Sequence, residues 1–258
     1  MTIFTAARSG GLRRQYTAMP RPAGGEVDSR GDRGDDALPP FLPREDRDPV
    51  LRVGILLAGC GAHDGTDPFE VAFTALALDR HGLRVAFLAP PSLQTEVVDH
   101  LAGMRDEIAS PRRLDAESAR LARGPLLAFA ESDVLGLGAL VVPGGAGVVK
   151  SLMRGALMPG VRAELDEAVR SPLAALRARG APLGAIGLGI EVLARIEPDL
   201  TFDAFATPPR TAGVDEARKL VWTPGFLGTE SPADAAAGIE EMVKALARML
   251  GRPAALPR

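Results

Sequence analysis

The stretch Val50-Leu51-Arg52-Val53-Gly54-Ile55-Leu56-Leu57-Ala58, closed by Pro49 and Gly59, carries a single charge and no polar alternation. A short apolar run bounded by chain breakers suits a strand covered on both faces, as in a parallel sheet. A helix signal follows at once. Asp67 is placed to cap it, Pro68 stands at its first position, Val71, Leu76 and Leu78 lie in its apolar run, and Gly82 stops it. Further strands are expected at Leu83 to Ala89, Ala139 to Val142 and Pro182 to Ile186, with helices around Thr95 to Leu101, Asp115 to Arg123 and Val161 to Arg179. In the last helix Ser231 caps, Pro232 opens and Asp234 completes a capping box. Ile239, Met242, Val243, Leu246, Met249 and Leu250 then form one apolar stripe before Gly251, which is core and takes no ligand. Strands alternating with helices predict an α/β fold, a doubly wound, mainly parallel sheet with helices on both faces.

The chain has 258 residues, 46% of them hydrophobic, enough for one sizeable core, and residues 49–252 read as a single domain. Residues 1–48 repeat Pro, Gly, Arg and Asp without apolar periodicity and read as a disordered extension, with 253–258 as a tail. Met1 to Ala18 carries Arg8, Arg13 and Arg14 and no acid, a weakly transit-peptide-like stretch without the apolar segment of a secretion signal. A bland extension, or a start at Met19, is the preferred explanation. A cytoplasmic location is therefore expected, with a mitochondrial one as the alternative. The Arg30-Gly31-Asp32 triplet is incidental in a chain without a secretion signal.

Thirty Lys+Arg against 33 Asp+Glu leave a formal charge of −3, which gives nucleic acid no global basic surface to bind. The apolar run from Val53 to Ala62 is about half of a membrane span, so no membrane partner is expected. Cys60 is the single cysteine, which excludes an intrachain disulfide framework and a Cys-rich zinc site and fits a reducing compartment. His63, His81 and His100 leave little for a His-based centre, and neither metal nor cofactor is expected.

Ligands of open parallel sheets bind beyond the carboxyl ends of the strands. Three glycine-rich segments sit there: Gly59-Cys60-Gly61-Ala62-His63-Asp64-Gly65 running into Glu70, Pro143-Gly144-Gly145-Ala146-Gly147, and Gly184-Ala185-Ile186-Gly187-Leu188-Gly189. Each alone is explained as a tight turn. None has the spacing of a dinucleotide fingerprint or the ending of a P-loop, which disfavours nucleotide binding.

Taken in order, these segments resemble the ElbB-like branch, associated with isoprenoid biosynthesis, of the class I glutamine amidotransferase-like superfamily that includes the PfpI proteases and the parkinsonism-associated deglycases. The resemblance spans roughly residues 50–196 and 221–250. It rests on Val53 to Gly61 with Asp64-Gly65 and Glu70, on Val98-Asp99-His100, on Glu117 to Gly124, on Pro143 to Gly147 with Lys150, on Pro182 to Ile186, and on Thr223-Pro224 before Gly238-Ile239-Glu240. It implies a flavodoxin-like sheet and a cysteine nucleophile on a strained strand-to-helix elbow, hydrogen-bonded by a glutamate. The glutamate is Glu70, and the elbow position holds Gly187, which has no nucleophile to offer. Pro143 to Gly147 would supply oxyanion N–H donors, with Ala146 in place of the usual aromatic residue. The implied pocket thus comprises Gly59, Gly61, Gly144, Gly145, Ala146, Gly147 and Leu188 beside Glu70.

Further departures accompany the missing thiol. Gly189-Ile190 stand where ElbB relatives carry Ala-Pro, the stretch between Ile196 and Val221 is short by about one strand and helix, and Asp199 to Gly213 reads as loop. Cys60 could face the pocket near Glu70 and act as nucleophile or redox sensor, yet the preferred reading is an inert, packed thiol. Glu70 has its own bland reading, a carboxylate in the first turn of a helix. The leading expectation is a non-catalytic, small-molecule-binding or regulatory protein, homodimeric by family habit, taking a small carbonyl or anionic ligand. The alternative is a glyoxalase- or deglycase-type enzyme acting on small aldehydes through Cys60 or a Glu70-activated water. A third reading is an interaction protein working through the Arg/Asp-rich arm.

Overall fold

The computed structural model describes residues 51–199 and 207–252; the expected extension at 1–48 and the tail at 253–258 lie outside the described residues. The order begins β1 (Arg52–Leu56), α1 (Pro68–Arg80) and β2 (Arg84–Ala89). A small ladder, β3 (Val98–Asp99) with β4 (Met104–Arg105), precedes α2 (Leu114–Ala122), β5 (Leu127–Ala128), α3 (Glu131–Val134), β6 (Ala139–Val142) and α4 (Ala146–Leu152). A second ladder, β7 (Met153–Arg154) with β8 (Glu164–Leu165), leads into α5 (Glu167–Ala178). The chain then runs through β9 (Leu183–Ile186), a 3-10 turn at Gly187–Gly189 and α6 (Ile190–Ile196). It continues with β10 (Gly213–Asp215), β11 (Leu220–Thr223), a 3-10 turn at Gly225–Leu227 and α7 (Pro232–Met249).

Seven strands form the central sheet in the order β10-β11-β9-β6-β1-β2-β5. All neighbours are parallel except the β10–β11 hairpin, an antiparallel edge within the stretch that the sequence marks as shortened. In β1 the side-chain period of two sorts the apolar run onto two faces. Val53, Ile55 and Leu57 join α1 and α7 in one core, whereas Leu56 and Ala58 join α5 and α6 in the other. This is why the run shows no alternation: both faces are covered.

The α7 stripe is core as expected, with Ile239, Met242, Val243 and Leu246 fully buried. Leu246→Ala is expected to cost about 3 kcal/mol, read as a lower urea midpoint with an unchanged slope. The cap is half of what the sequence predicts. Ser231 accepts from the Asp234 N–H at 3.3 Å, but the Asp234 carboxylate turns to Arg210 at 2.7 Å and does not return to Ser231. In α1, Asp67 accepts from the Phe69 and Glu70 N–H groups as predicted, while Leu76 is exposed.

Two helix expectations fail. Thr95 to Leu101 is β3 and a turn, because Asp99 accepts from the Leu101 and Ala102 N–H groups and so reverses the chain. Val161 to Arg179 contains a shorter helix. Asp166 caps α5 at the Ala168 N–H, and the residues just before it belong to β8. No helix among the described residues is long and apolar enough to cross a membrane.

Candidate functional site

The carboxyl ends of β1, β6, β9 and β11 converge on Glu70. Because Asp67 caps α1, Glu70 falls in the first helical turn with its carboxylate directed at the sheet rim. Its Oε2 accepts from the Gly144 N–H at 2.6 Å after β6, and its Oε1 accepts from the Phe226 N–H at 3.0 Å after β11. The residue is 2% exposed. Burial pushes its carboxyl from 4.5 up to about 7, against the pull of the Phe226 and Gly144 N–H groups and with a smaller upward push from Asp67. More than helix-dipole placement is therefore involved: the carboxylate joins three elements.

The elbow forms where β9 passes into the 3-10 turn and α6. Gly187 is buried there at φ +53, a left-handed conformation that glycine adopts without strain. A Cβ at this position would stand 3.1 Å from Glu70 Oε1 and 3.5 Å from the Pro224 carbonyl oxygen. The turn thus has the geometry that presents a nucleophile to a glutamate, with no side chain to present. Gly225 and Gly144 complete the cage, since a Cβ on either would lie 2.2 Å and 2.8 Å from a Glu70 oxygen.

The first two glycine segments lock onto each other backbone to backbone. Asp67 N–H donates to Gly144 O at 2.9 Å, Ala146 N–H to Ala62 O at 2.8 Å, and Gly147 N–H to Gly65 O at 3.0 Å. This narrows the expected oxyanion turn. The N–H groups of Gly144, Ala146 and Gly147 are engaged within the fold, and Gly145, half-buried, is the turn's amide outside these bonds. Leu188, also half-buried, brings its backbone nitrogen to 3.0 Å from where a Gly144 Cβ would stand.

Gly59 and Gly61 serve the loop after β1. The Gly59 N–H donates to Ser118 Oγ at 2.9 Å, and His100 sits against the bare Cα of Gly61. Cys60, half-buried between them, has Arg120, Glu117 and Asp64 as its charged neighbours, and Glu70 is not among them. Burial pushes its thiol up, Arg120 opposes, and Glu117 and Asp64 reinforce the rise. The rise works against a thiolate at this position.

The histidines do other work. His81, at the end of α1, meets Glu240 at 3.0 Å, and His100 Nδ1 meets the Val98 carbonyl at 3.1 Å while its ring packs beside exposed His63. Among the described residues no group of three His, Cys, Asp or Glu could hold a metal ion. Gly225 and Phe226 were legible only as residues after Thr223-Pro224; nothing in that turn announces a hydrogen bond to a residue 156 positions away. Asp64 was named only as part of the first glycine-rich segment, with no role. It is 2% exposed, with Oδ2 accepting from the Val98 N–H at 2.8 Å, and it fixes the loop carrying Cys60.

A sheet wound in this order, with a left-handed glycine at the strand-to-helix elbow and a caged glutamate beneath it, has the fold of the class I glutamine amidotransferase-like superfamily, and the chain is similar in sequence to glutamine amidotransferase-like class 1 domain proteins. The human glutamine amidotransferase-like class 1 domain-containing protein 3, mitochondrial, is 29% identical over 230 residues, covering 79% of this chain and 85% of that protein. The ES1 protein homolog, mitochondrial, of Rattus norvegicus is also 29% identical over 230 residues, with 79% and 86% covered. An isoprenoid biosynthesis protein with an amidotransferase-like domain from Ehrlichia chaffeensis shares the fold, at a TM-score of 0.70 and 24% identity over 77% of this chain and 99% of that one. No family model matches the sequence.

Proposed function

We propose that this protein is an ElbB-like member of the superfamily that has lost the elbow nucleophile and acts as a non-catalytic binding or regulatory protein. The observation that carries the reading is Gly187, set at φ +53 with its Cβ position 3.1 Å from Glu70 Oε1, where a thiol would be needed. The raised thiol of Cys60 supports it, since burial works against a thiolate there. The ligand is a small carbonyl or anionic molecule received by the Gly145 and Leu188 amides. A homodimer follows from the family resemblance alone. The mitochondrial names of the human and rat relatives and the acid-free, Arg-bearing first 18 residues favour a mitochondrial over a cytoplasmic location.

A second reading draws on Glu70, whose carboxyl near 7 suits a general base at neutral pH. Glu70 would activate a water for attack on a small aldehyde. Methylglyoxal consumption by the wild type, Cys60→Ala, Glu70→Gln and Gly187→Cys proteins separates the two. The binding-protein reading expects no wild-type turnover, with activity appearing only in Gly187→Cys. Robust wild-type turnover abolished by Cys60→Ala or Glu70→Gln overturns it.

A further inference from the structure

Beyond the carboxyl end of β2, away from the Gly187–Glu70 group, a half-open cavity of about 560 Å³ lies between the Pro90–Thr95 turn, the end of α4 with β7, the loop after it, and the first turn of α5. Its volume is within the range of small-molecule sites, and it shares no residue with the elbow. Pro90, Leu93, Met153, Leu157, Met158 and Val169 make its wall apolar, with exposed Leu93, Leu157 and Met158 as adaptable edges.

The charged groups are few. Two cations, Lys150 and Arg154, line the cavity against one carboxylate, Asp166. Asp166 is engaged on both oxygens, Oδ1 by the Ala168 N–H at 3.0 Å and Oδ2 by Arg154 Nε at 3.5 Å. Lys150 is held by Glu96 and by the His63 carbonyl at 2.9 Å. Arg154, 69% exposed in its side chain against 23% for Lys150, is the cation more open to an incoming anion.

We propose that this cavity binds a small amphipathic anion, an apolar body carrying one carboxylate, sulfonate or phosphate group, at a site separate from the elbow. The apolar wall takes the body, and Arg154 at the mouth takes the charged end. The proposal is independent of whether the elbow is catalytic.

The test is a fluorescence titration of the full chain with 8-anilinonaphthalene-1-sulfonate, followed by competition below micellar concentration with dodecanoate, dodecyl phosphate and dodecyltrimethylammonium. Saturable binding is expected, displaced by at least one of the two anionic amphiphiles and not by the cation, their relative potency identifying the preferred head group. Arg154→Ala is expected to weaken binding on the order of tenfold. Ala168→Trp, at an exposed position on the first turn of α5, is expected to block the mouth and abolish it. Ala75→Trp, in a second groove between α1 and α2, is expected to leave binding unchanged. Absence of saturable binding overturns the proposal, as does binding untouched by Arg154→Ala and Ala168→Trp, binding lost in Ala75→Trp, or equal displacement by the cation. Should Ala168→Trp fail to fold, Arg154→Ala, altered only at an exposed side chain, decides alone.

Discussion

Gly189→Ala is expected to destabilise the protein by more than about 3 kcal/mol, enough to leave much of it unfolded at ambient temperature. The reason is steric and not conformational. Gly189 has φ −60 and ψ −22, which alanine adopts freely, but a Cβ there would lie 2.0 Å from the Val142 carbonyl oxygen and 2.9 Å from that of Pro143. Both are backbone atoms at the end of β6 and cannot rotate away. Gly82→Ala provides the comparison. Gly82 has φ +67 and nothing within 4 Å of its Cβ position, so that change is expected to cost only about 1 kcal/mol, from the left-handed backbone. Urea unfolding of the two variants side by side reads the difference; equal losses would show that α6 does not sit against β6 as described.

The second large effect is on the pH dependence of stability. A carboxyl raised from 4.5 to about 7 on folding binds its proton more tightly in the native than in the unfolded chain. The native state therefore holds more protons between those values, and stability falls as pH rises through the window. Stabilisation is fully present below about pH 4.5 and is lost above about pH 7, a difference of roughly 3 kcal/mol. Glu70→Gln removes the titration. Its amide group leaves one of the Gly144 and Phe226 N–H groups without an acceptor, a pH-independent cost of about 1–2 kcal/mol. The wild type is thus expected to be the more stable protein at pH 5 and the less stable one at pH 8, measured as the difference between their urea unfolding free energies. A difference that stays flat across that range would falsify the burial of an ionisable Glu70. Taking the difference cancels the other carboxylates, which titrate alike in both proteins.

The two predictions concern residues whose types were legible and whose surroundings were not. Glu70 stood out as the glutamate after Asp67-Pro68, and its helical turn followed from that cap. The N–H groups that hold it come from Gly144 and Phe226, 74 and 156 residues downstream, and no local pattern links them. The Pro143 to Gly147 turn was expected to aim its amides at a ligand. Packing instead draws three of them into the fold, because glycine lets two backbones meet at hydrogen-bonding distance. Cys60 could be placed on the rim from its position after β1, whereas the charges around its thiol, Arg120 and Glu117 of α2, come from a helix some 60 residues downstream.

The helix errors have a common origin. Thr95 to Leu101 and the start of Val161 to Arg179 contain helix-compatible residues, yet Asp99 and Asp166 hydrogen-bond nearby backbone N–H groups and end or delay the helix. A single Asp side chain outweighed a weak propensity over several residues. Where the apolar pattern was long, as in α7, the prediction survived, because burial of a whole stripe exceeds any one local competitor.

The sequence by itself determined the alternation of strand and helix, the doubly covered first strand, the single thiol at position 60 and the absence of any nucleophilic side chain at position 187. These are properties of residue type and local period, which need no partner to be expressed. Only the tertiary structure decided that Gly187 faces Glu70, that the Pro143 to Gly147 turn spends three of its amides on internal bonds, and that a cavity opens between the β2 turn and α5. Each of these depends on where distant segments come to rest, and that is fixed by packing around two covered sheet faces.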